Sequence, residues 1–312
     1  MGHIKKHSKY SRRVAPGVRR SEKSVIVVVL VLFILLCAII SVAVGILLGK
    51  KAEQYNEEKH FDLPEFEYSS GEKVIKSVDA YAYEPGSSVS GYISRGITDL
   101  SLCVRDSEGK VTYNTAITEI SEENSGKYDL LETVELIHGY NGYVCAYFYV
   151  KSFAEENESL RDLYKAYELA LISEIDSLGV DDILLLGIDV NVSNIDEIER
   201  FVYDAANSVK GAAVGVALGE QTVRDNSESY ILSRMSSVSD YVALNLSDLS
   251  ADADKVPEGS ERGDASPLET LVDELYYYLK SYGMRVVISK DNASLYDSLK
   301  DMGISNLQIV GK

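Results

Sequence analysis

The 25 residues at positions 25–49 (VIVVVLVLFILLCAIISVAVGILLG) carry no charged side chain, and no other stretch restricts the chain as strongly. As a helix rising about 1.5 Å per residue, such a run crosses the roughly 30 Å hydrocarbon core of a bilayer with some tilt. It also satisfies every backbone group internally, as lipid demands. A cleaved signal peptide is the alternative, but its apolar region usually spans only about 7–15 residues and ends on small residues. This run is longer, and Leu47-Leu48-Gly49-Lys50-Lys51 is a poor cleavage site. The sequence therefore predicts an uncleaved signal anchor embedded in membrane lipid.

Charge divides at the same place. The 312 residues include 31 Lys+Arg and 49 Asp+Glu, for a net charge of −18. Eight of the bases but one acid, Glu22, lie in the first 24 residues, which leaves 23 bases against 48 acids beyond the apolar run. Basic flanks stay cytoplasmic, and eight bases outweigh Lys50 and Lys51. The expected setting is the cell membrane, with a cytoplasmic N-terminus and an extracytoplasmic C-terminal block. The basic tail reads as a topology signal and lipid contact. Nucleic acid is excluded as a general partner, because phosphate needs a basic face. The resulting plan is a basic tail over 1–24, a transmembrane helix over 25–49, an acidic stalk over 50–73 and a folded domain over 74–312.

The outer block alternates short apolar runs with helical patterns. The runs are Val78–Tyr83, Leu100–Arg105, Tyr143–Val150, Ile183–Val190, Ala212–Leu218, Tyr241–Leu246, Arg285–Ser289 and Leu307–Val310. Several are continuous rather than alternating, as expected of parallel strands covered on both faces. Helical patterns occupy 160–178, 195–206 (after a possible Asn194 cap), 268–282 (after Pro267) and 294–302. A recurrent device joins them: a helix ends, a Gly follows, and a strand begins, as at Gly96, Gly179, Gly211, Gly283 and Gly303. Gly supplies the left-handed conformation that stops a helix. Eight such units in about 240 residues predict a TIM-type (β/α)8-like barrel rather than an open doubly wound sheet. No Gly-rich phosphate loop follows any strand, so no nucleotide cofactor is expected. The sequence stops two residues after the last apolar run, so the eighth outer helix is expected to be missing. The stalk residues Phe61, Leu63, Phe66 and Tyr68 are candidates to pack in its place.

Two segments carry a resemblance. One reads Leu102-Cys103-Val104-Arg105-Asp106-Ser107-Glu108-Gly109-Lys110-Val111-Thr112-Tyr113, and the other Gly142-Tyr143-Val144-Cys145-Ala146-Tyr147-Phe148-Tyr149-Val150-Lys151. Over about residues 74–312 the chain resembles the glycoside-hydrolase-like barrel domain of secreted or membrane-anchored bacterial proteins. That family has Asp-Val-Lys-Asp on its second strand, where this chain has Cys103-Val104-Arg105-Asp106. It has Arg on the third strand, where Tyr147 stands, and Asp-Tyr-Ile-Arg on the fourth, where Leu186-Gly187-Ile188-Asp189 stands. The resemblance implies a glycosidase-type barrel. The departures imply a degenerate member that binds an envelope polysaccharide or a protein partner without cleaving it.

Barrel sites lie at the carboxyl ends of the strands. Reading those ends gives ligand-binding candidates Tyr83, Arg105, Asp106, Tyr147, Tyr149, Asn245 and Lys290. Glycoside hydrolysis needs two carboxylates about 5–10 Å apart, one protonated and one ionised. Asp189 and Glu220, at the ends of adjacent strands, form the best such pair for the alternative reading, an active glycosidase. In an acid-rich block they read more readily as solvated loop acids. The chain has no Trp but 22 Tyr; Tyr81, Tyr83, Tyr147 and Tyr149 could line a sugar cleft or simply pack. Beyond the membrane only His60 and His138 are available, so neither a metal site nor a Ser-His-Asp triad is expected. Cys103 and Cys145 read as buried thiols in preference to a disulfide between neighbouring strands. The acidic, Gly/Ser-containing segment 250–266 is expected as a loop over the barrel mouth.

Overall fold

A computed structural model describes residues 73, 75–117, 126, 128–191, 193–224, 230–247, 267–292 and 295–311. The tail, the apolar run at 25–49, the stalk up to residue 72 and the loop at 250–266 lie outside the described residues. So do the four stalk side chains expected to replace the eighth helix. Among the described residues, no helix is long and apolar enough to cross a membrane.

Eight parallel strands close into a barrel in chain order. They are β1 (Asp79–Ala82), β2 (Asp99–Arg105), β3 (Tyr143–Tyr149), β4 (Asp182–Leu186), β5 (Ala213–Gly219), β6 (Tyr241–Asn245), β7 (Arg285–Ser289) and β8 (Leu307–Val310). The ring is closed by β1 pairing with both β2 and β8, where Ala80 lies opposite Gln308. Every predicted apolar run overlaps one strand, with β2, β4 and β5 each reaching one residue beyond their runs. The run Ile183–Val190 overshoots, because Gly187 takes a φ of 77° and leads the chain out of the sheet after Leu186.

The helices are α1 (Val89–Ile93), α2 (Leu130–Gly139), α3 (Glu158–Ser177), α4 (Ile195–Ser208), α5 (Glu220–Arg224), α6 (Ile231–Val238), α7 (Pro267–Tyr282) and α8 (Leu295–Asp301). Their apolar faces and the outward side chains of the strands form one continuous cluster, including Leu102, Phe148, Leu171, Ile175, Phe201 and Leu244. The predicted helix-ending glycines Gly179, Gly283 and Gly303 hold positive φ. Gly211 does not. The backbone N–H groups of Lys210, Gly211 and Ala212 donate instead to the Asp176 carboxylate at 2.8, 3.0 and 2.7 Å, which shapes that turn without a left-handed residue. Asn194 precedes α4 as predicted but does not cap it. Its side chain bonds Asp189 O and Asn191 N, both at 2.8 Å, and so braces the loop after β4. Side-chain caps are found on α2 and α3, from Asp129 and Asn157.

No helix follows β8 among the described residues. The outer surface between β8 and β1 is a groove of about 630 Å³ flanked by α1 and α8 and lined by Tyr81, Tyr92, Tyr296 and Ile309.

Candidate functional site

Inside the barrel the side chains form two layers of different character. The layer toward the carboxyl ends is apolar: Tyr147, Leu184, Leu186, Ala217, Val287 and Val310 pack together. Above them, half-buried Cys103, Tyr149, Gly219 and Asn245 reach the mouth. Tyr147, expected in a sugar cleft, is only 3% exposed. Its hydroxyl accepts from Gly311 N at 3.0 Å and donates to Gly311 O at 3.3 Å. Burial, with Cys103 beside it, pushes this phenol far above its ordinary range, so it stays neutral. Tyr149 meets Tyr147 edge to face at 6.4 Å and is the member of that pair that reaches the mouth. Tyr81 and Tyr83 join the opposite, helix-facing layer. Tyr81 stacks on Tyr296 of α8, and Tyr83 packs on Tyr92 and Tyr128 while donating to Ser87 O at 3.0 Å. The four strand tyrosines therefore do not share one cleft.

Arg105, expected at the mouth, is turned away from it. The register between β2 and β3 shifts after Cys103, so that Arg105 lies opposite Phe148 instead of following the inward set Ser101 and Cys103. Such a bulge sends the next side chain to the other face of the sheet. There Arg105 is 2% exposed, lies over the Phe148 ring and pairs with Glu168 of α3. Its Nε donates to Gly109 O at 3.1 Å and Nη1 to Tyr149 O at 3.2 Å. Asp106 is occupied in the adjoining turn, where Oδ1 accepts Glu108 N at 3.0 Å and Lys110 N at 2.9 Å. Arg105 and Asp106 thus both hold the chain's own backbone.

The remaining candidates lie on the rim. Asp189 is exposed on the braced loop after β4. Glu220 opens α5, is half-buried, and pairs with Arg224 at 3.5 Å; Arg224 also reaches Glu274 at 2.9 Å. Lys290 pairs with Glu84, both half-exposed, across the ends of β7 and β1. Asn245 Oδ1 accepts from Ser247 N at 3.0 Å and Ser247 Oγ at 2.7 Å. Among the described residues, no group of three His, Cys, Asp or Glu side chains is placed to hold a metal ion.

The amino-terminal layer of the barrel interior is a polar plug. Arg285 donates from Nη2 to Asp182 Oδ2 at 2.9 Å, and from Nη1 to Asp182 Oδ1 at 3.1 Å, Tyr241 Oη at 2.9 Å and Gln308 Oε1 at 2.9 Å. Gln308 Nε2 donates to Ser101 Oγ at 3.0 Å. The Arg285 guanidinium lies 4.2 Å from the Tyr241 ring centre. Gly215 makes room for that ring: a Cβ there would fall 2.2 Å from it.

No disulfide joins Cys103 and Cys145, the first half-buried and the second buried. Burial and then the Asp182 carboxylate push the Cys145 thiol well up, against the opposing pull of Arg285. In the folded chain carrying Cys37→Ser, a thiol reagent is expected to modify Cys103 and to spare Cys145 until denaturant is added. Mass spectrometry of the labelled peptides reads this directly; equal labelling, or a 103–145 disulfide, would contradict it.

Sequence reasoning passed over the buried acids. Glu168 is fully buried and accepts Lys151 N at 2.6 Å and Ser152 N at 3.2 Å besides Arg105. Glu174 accepts from Tyr113 Oη at 2.6 Å, Thr115 Oγ1 at 2.5 Å and Ala116 N at 2.6 Å. A signal for Glu168 was present: it stands at helical spacing with Leu171, Ile172 and Ile175, on the apolar face of α3.

No known family's sequence profile matches the chain, and no curated protein sequence matches it. Among solved structures it is similar to a chitinase from Chromobacterium violaceum, with 13% identity, a TM-score of 0.40 and coverage of 64% of this chain. The chain spans less than two thirds of that chitinase, 63% of its length. It is also similar to a GH113 beta-1,4-mannanase (7% identity, TM-score 0.45, 71% of this chain and 79% of the other). A third similar structure is the tryptophan synthase A-subunit of Pyrococcus furiosus (14% identity, TM-score 0.39, 70% and 78%). Glycoside hydrolases are thus among its structural neighbours at low identity, alongside a barrel of different chemistry. The functional reading below draws on the chain's own residues.

Proposed function

We propose that this protein is a single-pass, membrane-anchored cell-surface barrel that binds an envelope polysaccharide without hydrolysing it. The observation that carries the reading is the make-up of the mouth. Among the described residues, the inward strand positions nearest the carboxyl ends include Cys103, Tyr149, Leu186, Gly219, Asn245, Ser289 and Val310, which offer an aromatic edge, an amide and a hydroxyl but no carboxylate. Cleavage of a glycosidic bond needs a protonated and an ionised carboxylate facing one another across the sugar. Arg105 and Asp106, the two charged residues that fit the family's second-strand pattern in character, are bound up in the fold itself. Tyr149 and Asn245 suit the weaker task of stacking and hydrogen-bonding a sugar ring.

The full-length chain in detergent micelles, screened on a glycan array, is expected to retain a polysaccharide class. Tyr149→Ala should weaken that binding about tenfold, or ~1.4 kcal/mol. Asp189→Asn and Glu220→Gln should leave it unchanged. Release of new reducing ends, abolished by either carboxamide variant, would establish the rival glycosidase reading instead.

A further inference from the structure

In a βα barrel each helix runs antiparallel to its strand, so helix C-termini gather at the amino-terminal end of the barrel. The exposed large apolar side chains gather there too. Ile75 is 59% exposed in the segment entering β1. Leu136 and Tyr140 stand at the end of α2, and Tyr203 is in the second half of α4. Tyr276, Tyr277 and Tyr282 occupy the last turns of α7, with Tyr277 73% exposed. Among the described residues, only Leu131 and Tyr230 of this class point elsewhere, at the starts of α2 and α6. Scattered exposed apolar residues need no explanation, but their gathering at one end of a domain does.

We infer that this amino-terminal rim rests on the outer surface of the lipid bilayer. The inference rests on the membrane-anchored reading above and adds an orientation to it. The chain reaches β1 through this same end of the barrel, from residues 50–73, so the rim is the part of the domain tethered nearest the apolar run. Residues 50–73 reach at most about 80 Å even fully extended, so the rim stays within that distance of the membrane. Tyrosine is suited to the headgroup region, with an apolar ring and a polar tip. An acid-rich domain is otherwise repelled by anionic lipid. At this end, however, three acids are neutralised in pairs: Asp240 with Lys73 at 3.2 Å, Asp99 with Lys76 at 3.1 Å, and Asp79 with Lys300. Seated this way, the barrel points its carboxyl-end mouth away from the lipid and toward the cell envelope.

The absence of Trp makes the test direct, since any introduced Trp is the sole reporter. Three variants of the full chain are reconstituted into phosphatidylcholine vesicles, with and without lipids carrying a spin-label quencher, placed near the headgroup for the two domain variants and along the acyl chain for the anchor variant. Tyr277→Trp is expected to emit at shorter wavelength and to lose emission to the quencher. Tyr230→Trp, also exposed but at the opposite end, is expected to do neither. Phe33→Trp reports the anchor separately. Quenching of Phe33→Trp without quenching of Tyr277→Trp, or equal quenching of Tyr277→Trp and Tyr230→Trp, would overturn the seated orientation while leaving the anchor intact. An unquenched Phe33→Trp would overturn the anchor itself and, with it, the orientation.

Discussion

Replacing Asp182 with alanine is expected to cost the barrel about 3–5 kcal/mol, the usual penalty for removing one partner of a buried ion pair. Arg285 is 1% exposed. Without Asp182 its guanidinium keeps only neutral partners, Tyr241, Gln308, Asn306 and the Cys145 sulfur. At roughly 2–4 °C per kcal/mol for a domain of this size, the unfolding midpoint should fall by about 10 °C or more. The cost belongs to the orphaned charge and not to the loss of attraction. The double variant Asp182→Leu, Arg285→Met should therefore recover most of it. Denaturant unfolding of the three proteins separates these cases. A loss below about 1 kcal/mol for Asp182→Ala would mean that the plug is solvated and that charge burial has been misjudged.

Glu168→Ala should be comparably damaging, about 3–5 kcal/mol, for a related reason. It orphans Arg105, and it also strips the acceptor from the buried N–H groups of Lys151 and Ser152. Each unsatisfied buried donor adds about 1–3 kcal/mol. Here the double variant Arg105→Met, Glu168→Met should recover only part of the loss, because the two N–H groups remain unpaired. This bears on function. If Arg105 served a ligand, Arg105→Met would abolish binding and leave stability nearly untouched. The geometry predicts the reverse, a destabilised barrel whose remaining folded fraction binds normally. Thermal unfolding and glycan binding measured on the same sample decide between them.

The strands were legible because both faces of a TIM-type sheet are covered, so each strand shows as a continuous apolar run. Val286-Val287-Ile288 announced β7 to the residue, and Leu184-Leu185-Leu186 announced β4, although the run it belonged to overshot the strand's end. Closure was legible through the count of eight units. Side-chain direction was not. A single bulge after Cys103 moves Arg105 from the mouth to the helix layer, and nothing in Cys103-Val104-Arg105-Asp106 marks the inserted residue. The polar plug was equally hidden. Asp182 and Arg285 begin strands β4 and β7 more than a hundred residues apart, and only the curvature of the closed sheet brings them together. Glu168 was partly readable, since an acid placed on an apolar helix stripe must have a buried partner. The tyrosines misled because Tyr is this chain's principal large aromatic, and packing uses Tyr81, Tyr83 and Tyr147 before any ligand can.

The central claim is that the mouth holds a glycan without the paired acids needed to cut it. The most direct measurement incubates the full-length chain with the polysaccharide it retains on the array and follows reducing ends over time. The expected result is saturable binding with reducing ends no more abundant than in the Asp189→Asn, Glu220→Gln double variant. Reducing ends that accumulate with the unaltered chain and stop with the double variant would contradict it.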